Sequence, residues 1–309
     1  MKQTYIDRIE TLIGVDVGCR GLGSDFKTGD LGQALEELNQ AQRIMIITGF
    51  CIRDTMTGET DGPIGAVSLG AALKKLDKEV VIITDEYSYK LVVACCKAMD
   101  MDMDMEIDIG IVPFEGAEDY CEQSIRDFEP DLVVAIERPG RAADGGCYSM
   151  RGEDLSSFVP NTDHLFSIAK ESEIKTMAVG DGGNEMGMGK IAEHIKKNVK
   201  LGEKICAVSA SDYLIVAGVS NWGAHGLVAG LSIMTSKMLL HNVDKEIEML
   251  EGMIGEGGVD GCSKKVVCTV DGLSLEVNLD MLEQLKVITL EALSAHRSPP
   301  RLSRSTRLW

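Results

Sequence analysis

The sequence predicts an α/β fold: a mostly parallel sheet with helices on both faces, closed by a C-terminal β-hairpin and helix. Three observations carry this. Continuous apolar runs rich in Val and Ile recur at 44–48 (IMIIT), 80–84 (VVIIT), 132–136 (LVVAI) and 213–217 (YLIVA). Stretches with helical spacing of apolar residues separate them, as the crossovers between parallel strands buried on both faces must. Near the C-terminus Asp271-Gly272 stands between the β-rich runs 266–270 and 273–277, a hairpin signal.

Taken in order, residues 1–14 place apolar residues at helical spacing among charges and lack the apolar centre of a signal peptide. A strand at 44–48 leads to a helix at 62–76, with Ile64, Val67, Leu69, Leu73 and Leu76 on or near one face. A strand at 80–84 precedes a helix at 87–99. The Met-Asp alternation at 99–105 suits a half-buried edge strand or its approach, with the Asp side chains in solvent. Strands follow at 107–112 and 132–136, a helix at 163–171 and a strand at 176–179. The strand at 213–217 opens into a long helix over 221–240, and a final helix runs over 280–295. One domain is expected over 1–296, with 257–296 a candidate subdomain. Residues 297–309 hold four Arg and no acid, against the acidic character of the rest; they read as read-through or disordered tail and are left out of the fold.

The chain has 309 residues, with Lys plus Arg at 31 against Asp plus Glu at 49, for a net charge of −18. Such a chain repels nucleic acid and anionic membranes, which excludes both as partners, and attracts metal cations and amines. Nine cysteines, an odd number without a C-x-x-C pair, sit mostly in apolar runs. They read as free thiols of a reducing, cytoplasmic compartment. Cys51 and Cys147 fall in candidate site loops, but no His neighbours either in sequence, so both are weak nucleophile candidates. No apolar run reaches the roughly 18 residues a membrane span needs.

Ligands of open α/β sheets bind beyond the carboxyl ends of the strands. Those ends carry Thr48-Gly49, the segment ETDGP at 59–63, Asp85, Glu137-Arg138, the run DGGNEMGMG at 181–189, and Ser220 to His225. The carboxylates Asp61, Asp85, Glu137, Asp181 and Glu185 should therefore share a rim. Like charges that close need a cation or a proton among them. A divalent metal, Mn²⁺ or Mg²⁺, on Asp61, Glu137, Asp181 and Glu185 is the matching expectation, since hard oxygens suit hard cations. For Asp61 and Asp181 taken singly, capping the helix that follows is an equally ordinary role.

The glycines of DGGNEMGMG permit close backbone approach, and a helix after the loop would aim its amides into a nest for a carboxylate, phosphate or oxyanion. Neither a P-loop nor a G-x-G-x-x-G fingerprint is present, so no nucleotide cofactor is expected. Arg20, Arg53, Arg138, Arg141 and Arg151 lie near these loops and could hold carboxylates, with at least two of them ordinary ion pairs. Of five histidines only His225 falls in a candidate site loop; His164, His194 and His241 fall on helices, and His296 borders the tail.

TGF at 48–50, ETDGP at 59–63, ERPG at 137–140, GDGGNEMGMG at 180–189 and SNWGAHG at 220–226 together resemble the C-terminal domain of the D-glutamate cyclase family, over about residues 5–295. The resemblance implies cyclisation of D-glutamate to 5-oxo-D-proline with loss of water. On that reading Asp61 or Asp181 is the base, Glu137, Glu185 and His225 complete the catalytic set, and the Gly182 and Gly183 amides hold the oxyanion. Arg20, Arg138, Thr48, Gly49, Asn184 and Asn221 would contact the substrate. Two alternatives stay open: a Mn- or Mg-dependent phosphatase using the same carboxylates, and a ligand-binding module without turnover. The expected partner is a small anionic molecule, an amino acid or a phosphate ester, with a homo-oligomer as a further expectation.

Overall fold

The structure is a computed structural model that describes residues 2–18, 20–22, 27–99 and 106–297. Its first half runs α1 (Lys2–Ile13), α2 (Leu31–Gln40), β1 (Arg43–Thr48), the short hairpin β2 (Cys51–Ile52) and β3 (Thr57–Gly58), α3 (Pro63–Lys74), β4 (Glu79–Thr84), α4 (Tyr89–Ala98), β5 (Asp108–Ile111) and α5 (Ala117–Phe128). The second half runs β6 (Leu132–Ile136), α6 (Asp163–Glu171), β7 (Lys175–Gly180), α7 (Ala192–Asn198), α8 (Gly202–Ile205), β8 (Tyr213–Val216), α9 (Ser220–Thr235), α10 (Val243–Gly255), the hairpin β9 (Thr269–Val270) and β10 (Leu273–Ser274), and α11 (Leu275–Arg297).

Six strands form one sheet in the order β5-β4-β1-β6-β7-β8, and every pairing in it is parallel. The chain builds outward from β1 to β4 and β5, then returns to the other side of β1 and builds outward again. Between β1 and β6 the winding reverses, which leaves a crevice at their carboxyl ends. Side chains alternate across the sheet. Ile44 and Ile46 of β1 face one core with α3, α9 and α11, while Met45 and Ile47 face the other with α5 and α6. Each such side chain contributes about 1.5–3 kcal/mol by leaving water.

The expected strands are present, with ends moved by a residue or two. α2, α5 and α10 were not expected, although each buries an apolar stripe. The C-terminal hairpin is shorter than expected. Residues 275–277 belong to α11, where packing on α1 and α9 outweighs their β preference. Residues 100–105 of the Met-Asp alternation and residues 298–309 of the tail lie outside the described residues. The helix expected directly after the glycine-rich loop starts late: a 3₁₀ turn spans Gly189–Ile191 and α7 begins at Ala192. Gly187 and Met188 instead bridge to Ala210, so the loop is pinned by backbone pairing and not by a helix N-terminus.

Candidate active site

At the crevice, α3 and α9 both begin, and each is capped by a residue from the other's segment. Asp61 lies just before α3. Its carboxylate accepts the backbone N–H groups of Ser220 and Asn221 at the start of α9, both at 2.8 Å. Asn221 Oδ1 accepts the N–H of Gly62 at 3.0 Å and of Gly65 at 2.8 Å at the start of α3. The expected capping role of Asp61 is therefore real but directed at a helix about 160 residues away. Gly62, at φ +100°, makes the turn possible: a Cβ there would meet Thr48 Oγ1 and Glu137 Cβ at 2.8 Å.

Glu137 follows β6 in a left-handed backbone conformation, φ +44°, which costs about 1–3 kcal/mol outside glycine. That conformation sends its side chain into the crevice, where Ser220 Oγ donates to Glu137 Oε2 at 2.6 Å. Asp181 ends β7. Carboxylate oxygens of Asp61, Glu137 and Asp181 all lie within 4.8 Å of one another. Arg20 pairs with Asp181 and, at 2.7 Å, with Asp271 of the C-terminal hairpin. The second oxygen of Asp181 is buried without a hydrogen-bond partner. Glu59 joins the same floor, its carboxylate pressed against the backbone of Gly261.

Burial pushes these acids upward. Asp61 rises to about 8, from burial first and Asp271 next, against the Asn221 and Ser220 amides. Glu137 rises through burial, then Glu185 and Asp61. Asp181 rises through burial even though Arg20 opposes the shift, and Glu59 through burial and Asp271. Such acids bind protons more tightly folded than unfolded, so stability falls as pH rises. The slope is up to about 1.4 kcal/mol per pH unit for each extra bound proton. For Asp61 the window runs from the model-compound value of 3.8 up to about 8. Chelator-treated protein should accordingly lose Tm across that window in scanning calorimetry, and Mn²⁺ should restore most at the alkaline end, where it competes with fewer protons. A Tm flat with pH and indifferent to millimolar metal would contradict both expectations.

The cleft above this floor is lined by Phe50, Leu155, Asn184 and Cys262, with Arg53, Arg151 and Lys264 at its mouth. Arg53 is exposed and makes no hydrogen bond among the described residues. Arg151 donates to the Cys262 carbonyl at 2.6 Å, and Lys264 pairs with Asp54 and Glu153. An acidic floor under a basic mouth suits a molecule with one cationic end and one or more carboxylates.

Several expected site residues have other work. Glu185 does not join the three converging carboxylates. Its carboxylate folds back and accepts the N–H groups of Asp181 at 3.0 Å, Gly182 at 2.7 Å and Gly183 at 2.6 Å. The nest is filled by the chain itself, so Gly182 and Gly183 cannot hold an oxyanion or phosphate as expected. Arg138 is fully buried. It pairs with Asp85 and donates to the Gly49 carbonyl and Thr162, so Arg138, Asp85 and Gly49 brace the loops and do not touch the cleft. Arg141 donates to the Val159 carbonyl. Thr48 is buried behind Gly62, and Asn221 is spent on capping. Asn184 does line the cleft, held by donation to the Tyr148 carbonyl.

His225 is not in a loop. It lies inside α9, beside His241 and Glu246, and burial pushes it down to about 4. Burial likewise pushes the Cys51 thiol up, and that of Cys147 up to about 12, which leaves neither as a thiolate. All cysteines among the described residues carry free thiols. Sequence reasoning missed Glu59 and Asp271 as site acids. Asp271 was read as a turn residue, which it also is, at φ +55°.

The model of the family described as "D-glutamate cyclase-like, C-terminal" matches residues 9–286. The chain belongs to this family. A curated family relative, the human mitochondrial D-glutamate cyclase, is 33% identical over 318 aligned residues, which take in 92% of this chain and 52% of the relative. The chain thus spans about half the length of that enzyme. Among solved structures, an exopolyphosphatase-related protein from Bacteroides fragilis superposes with a TM-score of 0.40 at 11% identity, covering 88% of this chain and 62% of its own, a likeness too loose to bear on function. Among the described residues no helix is long and apolar enough to cross a membrane.

Proposed function

We propose that this chain is the catalytic unit of a D-glutamate cyclase-type lyase, closing glutamate to 5-oxoproline with loss of water. The observation that supports it most is the pairing of a buried acidic floor with a basic mouth, beside membership of the family. Glutamate carries one ammonium group and two carboxylates. The free oxygen of Asp181 can take the proton that the α-amine must lose before it attacks. The amine then forms the N–C bond to the γ-carboxyl carbon and passes its second proton to a γ-carboxylate oxygen, which becomes a hydroxyl, and the C–O bond to that hydroxyl breaks. Asp61, raised to about 8, holds a proton at neutral pH that the departing hydroxyl can accept as it leaves as water. Arg53 at the mouth would hold a carboxylate.

The floor also fits a hard divalent cation: three carboxylates converge and one buried oxygen of Asp181 lacks a partner. Asp61, Glu137 and Asp181 would hold Mn²⁺ or Mg²⁺ in place of a proton, and the ion would supply Lewis-acid polarisation of the carboxyl being attacked.

The test is formation of 5-oxoproline from D-glutamate, followed by NMR, with L-glutamate and a generic phosphate ester as parallel substrates, each with and without Mn²⁺. Turnover of D-glutamate supports the reading. Turnover of the ester alone would replace it with a phosphatase, and turnover of none with a binding module. Arg53→Ala should raise KM about tenfold with kcat held, the loss of one charge-assisted contact at an exposed mouth. An unchanged KM would remove Arg53 from the substrate's reach.

A further inference from the structure

Away from the crevice, three polar side chains meet inside the apolar core where α9 and α10 pack beside α3 and α4. His225 stands in α9, His241 in the link from α9 to α10, and Glu246 in the first turn of α10. Their relative exposures are 1%, 6% and 3%. Their ligand atoms lie within 4.8 Å of one another. Glu246 Oε2 is 2.7 Å from His241 Nε2 and 3.5 Å from His225 Nε2. Ser68 Oγ of α3 lies 3.0 Å from His241 Nδ1. Ser68, His241 and Glu246 have the order of a hydrolytic triad, but Ser68 is 2% exposed within a helix, so no substrate reaches its hydroxyl.

His225 is the odd member. Neither of its ring nitrogens has a hydrogen-bond partner among the described residues. An imidazole always offers a lone pair, an N–H or both, and folded proteins pair nearly all such groups when they bury them. Two imidazoles and a carboxylate are the donor set of zinc and its neighbours, and not the all-oxygen set found at the crevice. Ser68 sits on the nitrogen of His241 that faces away from Glu246, the position of a partner that fixes a ligating tautomer.

We infer that His225 Nε2, His241 Nε2 and Glu246 form a structural site for a divalent transition metal of the zinc class, joining α9 to α10. Bonds of about 2.0–2.2 Å in a tetrahedron set donor atoms roughly 3.3 Å apart. The separation of His225 and Glu246 already matches, and that of His241 and Glu246 needs a small opening. Glu246 can fill a fourth position with its second oxygen. The two clusters then select different ions by donor type: nitrogen-rich here, oxygen-only at the crevice.

The experiment uses the full chain without a polyhistidine tag, produced in zinc-replete medium and dialysed against a chelator. The expected result is about one zinc per chain by elemental analysis, with imidazole nitrogen around it in X-ray absorption. His225→Phe should lose that zinc and several degrees of Tm, whereas Asp181→Asn should keep the zinc, which places it away from the crevice. Zinc far below one per chain in the wild type would overturn the site. So would His225→Phe with a Tm equal to or above wild type, because removing two unpaired nitrogens from a dry core stabilises it when no metal is lost. If His225→Phe does not fold, the wild-type zinc content and its coordination decide alone.

Discussion

Asp181→Asn is expected to lower turnover by about 10²–10⁴-fold, the span of a lost general base, while Tm changes little. The amide keeps the shape of the carboxylate but cannot take a proton from an ammonium. Stability should hold for two reasons. Arg20 retains Asp271 as a partner, and the substitution removes one acid from a buried cluster in which Glu137, Asp61 and Asp271 oppose its charge. Asp181 precedes no helix directly, so the loss could not be assigned to a missing cap. Turnover and a melting curve on the same preparation check it. Wild-type turnover would take Asp181 out of the chemistry and leave the cyclisation mechanism without its base.

Glu185→Gln is expected to act the other way, through stability first. Two carboxylate oxygens there receive three N–H groups in a buried loop. Glutamine offers one acceptor oxygen and turns an NH₂ toward the remaining backbone donors. Each buried donor left without an acceptor costs about 1–3 kcal/mol, so a loss of roughly 2–4 kcal/mol follows. The urea midpoint should fall with the slope unchanged. A variant that keeps its midpoint but loses turnover would instead make Glu185 a reacting group, as its place in the sequence first suggests.

The sheet was legible because strands such as 44–48 and 132–136 are buried on both faces, and only continuous apolar runs satisfy that. The convergence of Asp61, Glu137 and Asp181 was legible because all three end strands or begin crossovers on one edge. The role of Glu185 was not. Four residues from Asp181, it could point outward as a ligand or inward onto its own loop, and no periodicity distinguishes the two. His225 was misplaced for a related reason. The helix expected over 221–240 already contains it, but the polar residues Ser220 and Asn221 and the two glycines of SNWGAHG made the segment read as a site loop, while the acceptor that starts the helix, Asp61, lies far away in the chain. Asp271 was hidden by its adequacy as a turn residue, and Arg138 looked like a substrate clamp because its partner Asp85 lies on a different strand end.

The reciprocal caps of α3 and α9 impose an order of assembly. Until Asn221 arrives, Gly65 at the head of α3 lacks a side-chain acceptor and Gly62 has only the neighbouring Asp61. Until Asp61 is in place, Ser220 and Asn221 at the head of α9 lack one too. Neither half of the sheet can finish its edge of the crevice alone, and the closing contacts span about half of the chain, which makes them late and slow to form. A ribosome-bound chain halted before residue 220 would therefore display β1, α3 and β4 around an uncapped acid. Competence would come in a single closing event once α9 has emerged.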